Sequence, residues 1–197
     1  TFTLTVPNQP TQTSIVYESA YANGIPTTTA SGVMIATLSG TNTPTSFTLG
    51  GTDAATFTIG GTNNDELTTA TTINYDDAAS LTITVAAVNE HGTQPTATTF
   101  TITVLNQPTV TSITYVTGYA SGIPTGTGSG VKIAEVEADN VPTSFTLAGS
   151  DAAKFSVANT GELTTAATIL YADAASLSIT VAGVNADGAQ PVSYTHL

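Results

Sequence analysis

Leu81, Ile83 and Val85 alternate with Thr82 and Thr84, and Leu177, Ile179 and Val181 alternate in the same way with Ser178 and Thr180. A period of two puts the apolar side chains on one face of an extended chain and the hydroxyls on the other. Shorter runs of the same kind predict strands at Ser14–Tyr17, Val33–Leu38, Ser46–Leu49, Thr56–Ile59, Glu66–Thr68 and Thr98–Val104. Gly, Pro, Asn and Asp turn signals separate them. Val131–Ala138 breaks the pattern, because Glu135 and Glu137 fall on the face of Val131 and Ile133, and a bulge or an edge strand is predicted there. About seven short strands in each half of the chain is the count of a β-sandwich.

The halves are copies of one another. "NQPTQTSIVYESAYANGIPTTTASGV" from Asn8 returns as "NQPTVTSITYVTGYASGIPTGTGSGV" from Asn106, a shift of 98 residues. Beyond Phe57 and its counterpart Phe155 the second copy is two residues shorter, and the match resumes at Glu66 and Glu162. The opening hexapeptide Thr1–Val6 repeats Thr99–Val104 at the same shift of 98, so it reads as the last strand of a repeat. The predicted division is therefore residues 1–7 as an orphan terminal strand, 8–105 as repeat 1, and 106–197 as repeat 2. The residues from Val192 leave the repeat pattern, so repeat 2 is expected to lack its own last strand.

Charge narrows the function classes. Fourteen Asp and Glu face two cationic side chains, Lys132 and Lys154, and the net charge is −12 in 197 residues. Phosphate backbones and anionic headgroups need clustered Lys or Arg, so nucleic acid and membrane surfaces are excluded as partners, and no apolar run suits membrane insertion. Cysteine is absent, which removes thiol chemistry and disulfides and points to a prokaryotic rather than an animal extracellular protein. His91 has Asp187 as its counterpart, so no Ser-His-Asp arrangement is suggested and no enzymatic role is expected. Asp53 and Asp151 lie in "DAA" turns, where a carboxylate caps its own turn.

The run "GTDAATFTI", then "ELTTATTINYDDAASLTITVAAVNEHG", then "TTFTITVLNQP" resembles a cadherin or bacterial cadherin-like repeat, and the second copy keeps the family's turn at Gly161-Glu162-Leu163. The resemblance implies an all-β chain of two tandem Greek-key, immunoglobulin-like sandwiches. It also implies Ca²⁺ at the inter-repeat junction. The positions that would serve are Glu18, Asp76, Asp77, Asn89, Glu90 and Asn106. The set is depleted of carboxylates, and the second copy has Val116 for Glu18 and Ala172 for Asp76. Calcium wants six to eight oxygens, so folding is expected to be largely independent of it.

Two functions remain open on the sequence. One is a structural module of an extracellular filament or adhesin stalk, self-associating head to tail into a homopolymer, with the Phe2, Leu4 and Val6 strand completing the next module either by donor-strand complementation between chains or as part of one continuous chain of repeats. The other is a Ca²⁺-dependent cell-surface adhesion module that binds a glycan or a protein receptor.

Overall fold

The computed structural model describes residues 2–172 and 175–196. The chain folds as two compact units, Thr1–Asn106 and Gln107–Leu197.

In the first unit the strands are β1 (Thr13–Tyr17), β2 (Ile25–Pro26), β3 (Met34–Gly40), β4 (Ser46–Gly50), β5 (Phe57–Gly60), β6 (Glu66–Thr69), β7 (Ser80–Asn89), β8 (Gly92–Thr93) and β9 (Thr98–Leu105). One sheet has the order β1-β3-β6-β5 and the other β2-β9-β7-β4, with β8 paired to β7. Ile35, Leu38, Phe57 and Leu67 from the first sheet share a core with Ile25, Leu81, Ile83, Val85, Ile102 and Val104 from the second. Two sheets closed on one apolar layer make a sandwich, and the alternation read from the sequence is what supplies that layer.

The second unit repeats the arrangement with β10 (Val110–Tyr115), β11 (Lys132–Ala138), β12 (Ser144–Ala148), β13 (Phe155–Val157), β14 (Glu162–Thr165), β15 (Leu177–Asn185) and β16 (Gly188–His196). Its sheets are β10-β11-β14-β13 and β12-β15-β16, and its core holds Ile133, Val136, Phe155, Leu163, Leu177, Ile179 and Val181. The all-β, two-sandwich architecture expected from the sequence is the one observed.

The irregular run at Val131–Ala138 is resolved by a bulge. The pairing of β11 with β14 shifts register between Lys132 and Ala134, so Ile133, Ala134 and Val136 are all buried while Glu135 and Glu137 turn outward. One extra residue flips every later side chain to the other face. β11 lies inside its sheet, so of the two expected devices the bulge is the one used. β3 shifts in the same way between Met34 and Ala36.

Repeat 2, expected to lack a last strand, has one, because β16 pairs antiparallel with β15 from Asn185↔Gly188 to Leu177↔His196. In the first unit the return to β7 is interrupted after Gly92–Thr93 and resumes only at Val85↔Thr98. In the second, the chain turns at Gly188 and pairs without a break, so residues outside the repeat pattern still form a ladder. Backbone N–H and C=O pair whatever the side chains are.

Asp53 and Asp151 do not cap their own 3-10 turns. Each carboxylate reaches across to the neighbouring sheet, where Asp53 Oδ2 accepts from Thr82 N at 2.6 Å and Asp151 Oδ2 from Ser178 N at 2.9 Å. The Ser178 N–H, helped by the Ser150 hydroxyl and the Lys154 charge, holds the Asp151 carboxyl below its ordinary value. A depressed folded value adds stability that is present above the unfolded value of about 4 and is lost as pH falls through the folded one. Melting curves of Asp151→Asn against the parent between about pH 2 and 5 should show a flatter acid limb for the variant. An unchanged acid limb would mean the bond carries no linkage.

Candidate functional site

The chemistry-bearing residues gather at the two poles of each sandwich, where strands end and backbone groups lose their ladder partners. β7 is ten residues long, so at about 3.3 Å per residue the poles of the first unit lie roughly 30 Å apart.

At the pole where the chain enters the first unit, three asparagines form a lock. Asn89 is 8% exposed, and its Nδ2 donates to Asn8 O and Asn42 O, both at 2.8 Å. Its Oδ1 accepts from His91 N at 2.9 Å, and Asn42 Nδ2 donates to Gln9 O at 2.6 Å. Asn42 and Thr43 hold φ of 57° and 48°, and a side-chain amide that can donate twice and accept once satisfies the carbonyls such a turn leaves over. A polar cavity of about 170 Å³ opens beside the lock, between Thr43, Thr45, Glu90 and His91. Glu90 is 85% exposed and lies 3.4 Å from His91 Nε2.

The second unit keeps the bonds of the Asn42 turn, and its acid, Asp187, comes one position later than Glu90. Asn140 Nδ2 donates to Gln107 O at 3.1 Å, Asn185 Nδ2 to Asn140 O at 3.2 Å, and Asp187 N to Asn185 Oδ1 at 2.9 Å. Ala186 stands where Glu90 does.

At the other pole of the first unit lie Glu18, Asp76, Asp77 and Asn106. Glu18 follows β1 and is exposed, as are Asp76 and Asp77. Asn74 Nδ2 donates to Asp77 Oδ2 at 3.1 Å. Tyr75 N donates to Thr27 Oγ1 at 3.0 Å, and Thr27 N in turn to Leu105 O at 3.0 Å, next to Asn106. The end of β9 covers this pole, since Val104 and Leu105 pair with Ile25 and Pro26, and Ile25 is fully buried.

The six positions proposed for Ca²⁺ are therefore split, with Asn89 and Glu90 at one pole and Glu18, Asp76, Asp77 and Asn106 at the other. Asn89 is committed on both its oxygen and its nitrogen, and a bound cation would face the N–H groups that make the lock. Among the described residues no group of three or more His, Cys, Asp or Glu side chains gathers closely enough to hold a metal. The donor set does not fit one calcium ion within the unit.

Sequence reasoning missed the corresponding pole of the second unit. There Val116, Leu170 and Ala172 replace Glu18, Asn74 and Asp76. The changes read along the chain as lost ligands, but in the fold they fall together, since Tyr171 N donates to Thr125 Oγ1 at 3.1 Å and Gly126 N to Ile169 O at 2.7 Å. Leu170 is 43% and Tyr171 71% exposed, while Tyr75 of the first unit packs on the core. The assembly residues named from the sequence are also outside any strand, with Phe2 100%, Leu4 92% and Val6 89% exposed.

No family model matches the chain, and no curated protein matches it. Among solved structures it is similar to human protocadherin-24 EC1-2, at 11% identity over 96% of this chain and 97% of that one, with a TM-score of 0.42. It is also similar to protocadherin gammaB7 EC3-6 in a cis-dimer structure, at 18% identity over 96% of this chain and 50% of that one, with a TM-score of 0.39. Mouse protocadherin-24 EC1-3 gives 14% identity over 87% of this chain and 58% of that one, with a TM-score of 0.36. Identities and scores this low leave the two sandwiches resting on the strand pairing and the shared cores described above. Among the described residues no helix is long and apolar enough to cross a membrane.

Proposed function

We propose that this chain is a non-enzymatic structural segment of a prokaryotic extracellular stalk, filament or adhesin, whose sandwiches follow one another in series and whose copies associate head to tail. The observation that carries the reading is that one sequence builds the same sandwich twice, each with an Asn amide bonded to the carbonyl of its entry turn. Serial sandwiches whose entry turns are held from within suit a part that bears load or spans distance. The acidic surface keeps such an array soluble. The exposed Phe2, Leu4 and Val6 supply the associating element. Because β16 already pairs with β15, that element adds to a neighbouring copy rather than filling an absent strand.

The second reading, a Ca²⁺-dependent adhesion module with a glycan or protein receptor, requires an ion that the six residues do not gather. Sedimentation and thermal melting of the chain with Ca²⁺ and with EDTA separate the two. The expected result is concentration-dependent association in both conditions. Chelation should lower the melting temperature by less than the roughly 4 °C that 1 kcal/mol is worth in a domain of this size. A larger fall on chelation, or loss of association with it, would favour the calcium-dependent module.

A further inference from the structure

We propose that the first sandwich carries a binding site for a neutral sugar ring, in the cavity between the β1–β2 connection and the edge of β9. The cavity measures about 100 Å³, and its lining includes Tyr17, Tyr21, Asn23, Gly24, Thr101 and Thr103. All six lie inside the first unit, so the site neither uses nor requires the self-association proposed above. Backbone bonds fix its walls. β1 leaves its sheet at Tyr17, after which Glu18 N donates to Ile35 O at 2.9 Å, Tyr21 N to Glu18 O at 2.8 Å and Gly24 N to Tyr21 O at 3.1 Å. These bonds turn the chain back through a single 3-10 turn at Ser19–Tyr21. Gly24 then runs against β9 at φ +138°, where an added Cβ would lie 2.9 Å from Thr103 O. Only glycine brings the connection this close.

Facing the connection is a length of β9 that β2 leaves uncovered, because β2 pairs only with Val104 and Leu105. Val104 N donates to Ala79 O, and residues of an antiparallel ladder alternate between bonding their partner and turning away from it. Thr101 and Thr103 therefore direct backbone groups away from β7, on the side of the cavity. Tyr17 and Tyr21 are half-buried and pack on the core, so each offers an apolar ring with a polar tip. Burial raises the Tyr17 pKa, and its hydroxyl stays protonated at neutral pH, able to donate and to accept. Among the described residues no hydrogen bond commits the side chains of Tyr17, Tyr21, Asn23, Thr101 or Thr103 to the rest of the protein, whereas the Asn89 amide is committed at both ends. Two aromatic rings with an amide and hydroxyls around them match a sugar ring, which has apolar C–H faces and a rim of hydroxyls. No charged side chain is among the lining residues, so an anion or a cation finds no counter-charge there. A volume this small takes one ring or its edge rather than a peptide strand.

Titration of the isotope-labelled full chain with glucose, galactose, mannose and N-acetylglucosamine in EDTA, followed by amide chemical shifts, tests the assignment. At least one of these sugars should shift the amides of Tyr17–Gly24 and Thr101–Thr103, with a dissociation constant on the order of millimolar for so small a contact. Tyr21→Phe, Asn23→Ala and Thr101→Val should each weaken binding about threefold or more, the worth of one hydrogen bond. Thr101 is an exposed strand position that accepts another β-branched residue, so that variant keeps its fold, and the spectra report the folding of all three. Acyclic sorbitol should leave these amides unmoved. The proposal is overturned if none of the four sugars shifts them, if the shifts gather elsewhere, if sorbitol acts equally, or if all three variants bind like the parent. Binding that appears only with added Ca²⁺ would equally overturn it. Self-association, read by sedimentation, stands or falls separately.

Discussion

Replacing Gly161 by Ala should unfold the second sandwich at temperatures where the parent is intact, lowering its melting temperature by more than about 10 °C. Gly161 sits at φ +92°, and a Cβ added there would lie 2.1 Å from Val136 O. That oxygen belongs to the backbone of β11, an interior strand, so it has no flexible end with which to retreat. Gly161 O also accepts from Val136 N at 2.9 Å, so the chain cannot swing away without losing that bond. Left-handed backbone costs a non-glycine residue about 1–2 kcal/mol, and the steric clash brings the total to about 3 kcal/mol or more. Gly130→Ala separates the two contributions, because Gly130 has φ +78° with nothing within 4 Å of the added Cβ. It should cost only the backbone part. Hydrogen exchange reads the result by strand, with protection lost over β10–β16 and kept over β1–β9. In the first unit the same bond runs from Leu38 N to Asp65 O. Its loop is two residues longer, and Asp65 is not among the residues with positive φ. A Gly161→Ala protein that melts like the parent would show that the β13–β14 turn rearranges freely.

Asn89→Asp should destabilise the first sandwich by about 2–4 kcal/mol, although it changes one NH₂ group for an oxygen. The amide nitrogen donates to two backbone carbonyls at 2.8 Å. A carboxylate in its place sets a negative oxygen against two others and leaves both carbonyls without their donor. The bond from His91 N to Oδ1 survives the change, so the loss isolates the donor half of the lock. The substitution also discriminates between chemistries, since a carboxylate is the better calcium ligand. With a metal at this pole, Asn89→Asp would gain stability on adding Ca²⁺. The lock predicts a loss that millimolar Ca²⁺ does not restore. Asn89→Ala should cost less than Asn89→Asp, because it removes the donor without adding charge. The opposite order would mean the amide is not what holds the turn.

At this asparagine the linear pattern and the fold part company. The sequence marked Asn89 as a weakened ligand because it stands where the resemblance expects an acid. Its partners Asn8 and Asn42 are 81 and 47 residues away, and nothing in the local pattern tells whether a polar side chain at a strand end faces a metal, water or a carbonyl. The same limit applied to Asp53 and Asp151, expected as local caps and found bonded to β7 and β15. It applied also to Val116, Leu170 and Ala172, whose common pole is set by the pairing of Thr127 with Ile169 and by the turn after β10.

A period of two and a period of 98 carried most of the architecture. Alternation assigns a side chain to the core or to solvent, so the strands, both apolar layers and the irregularity that became the bulge at Lys132–Ala134 were legible before any fold was drawn. Self-similarity yielded the two sandwiches. Which end of a sandwich each polar residue occupies came from the folded chain, because a strand's pattern is the same read toward either pole. Folding sent Asn89 and Asp76 to opposite ends of β7 and gave β16 its place beside β15. That last pairing is made by backbone groups, which every residue except proline carries in full and which leave no signature in the side-chain pattern.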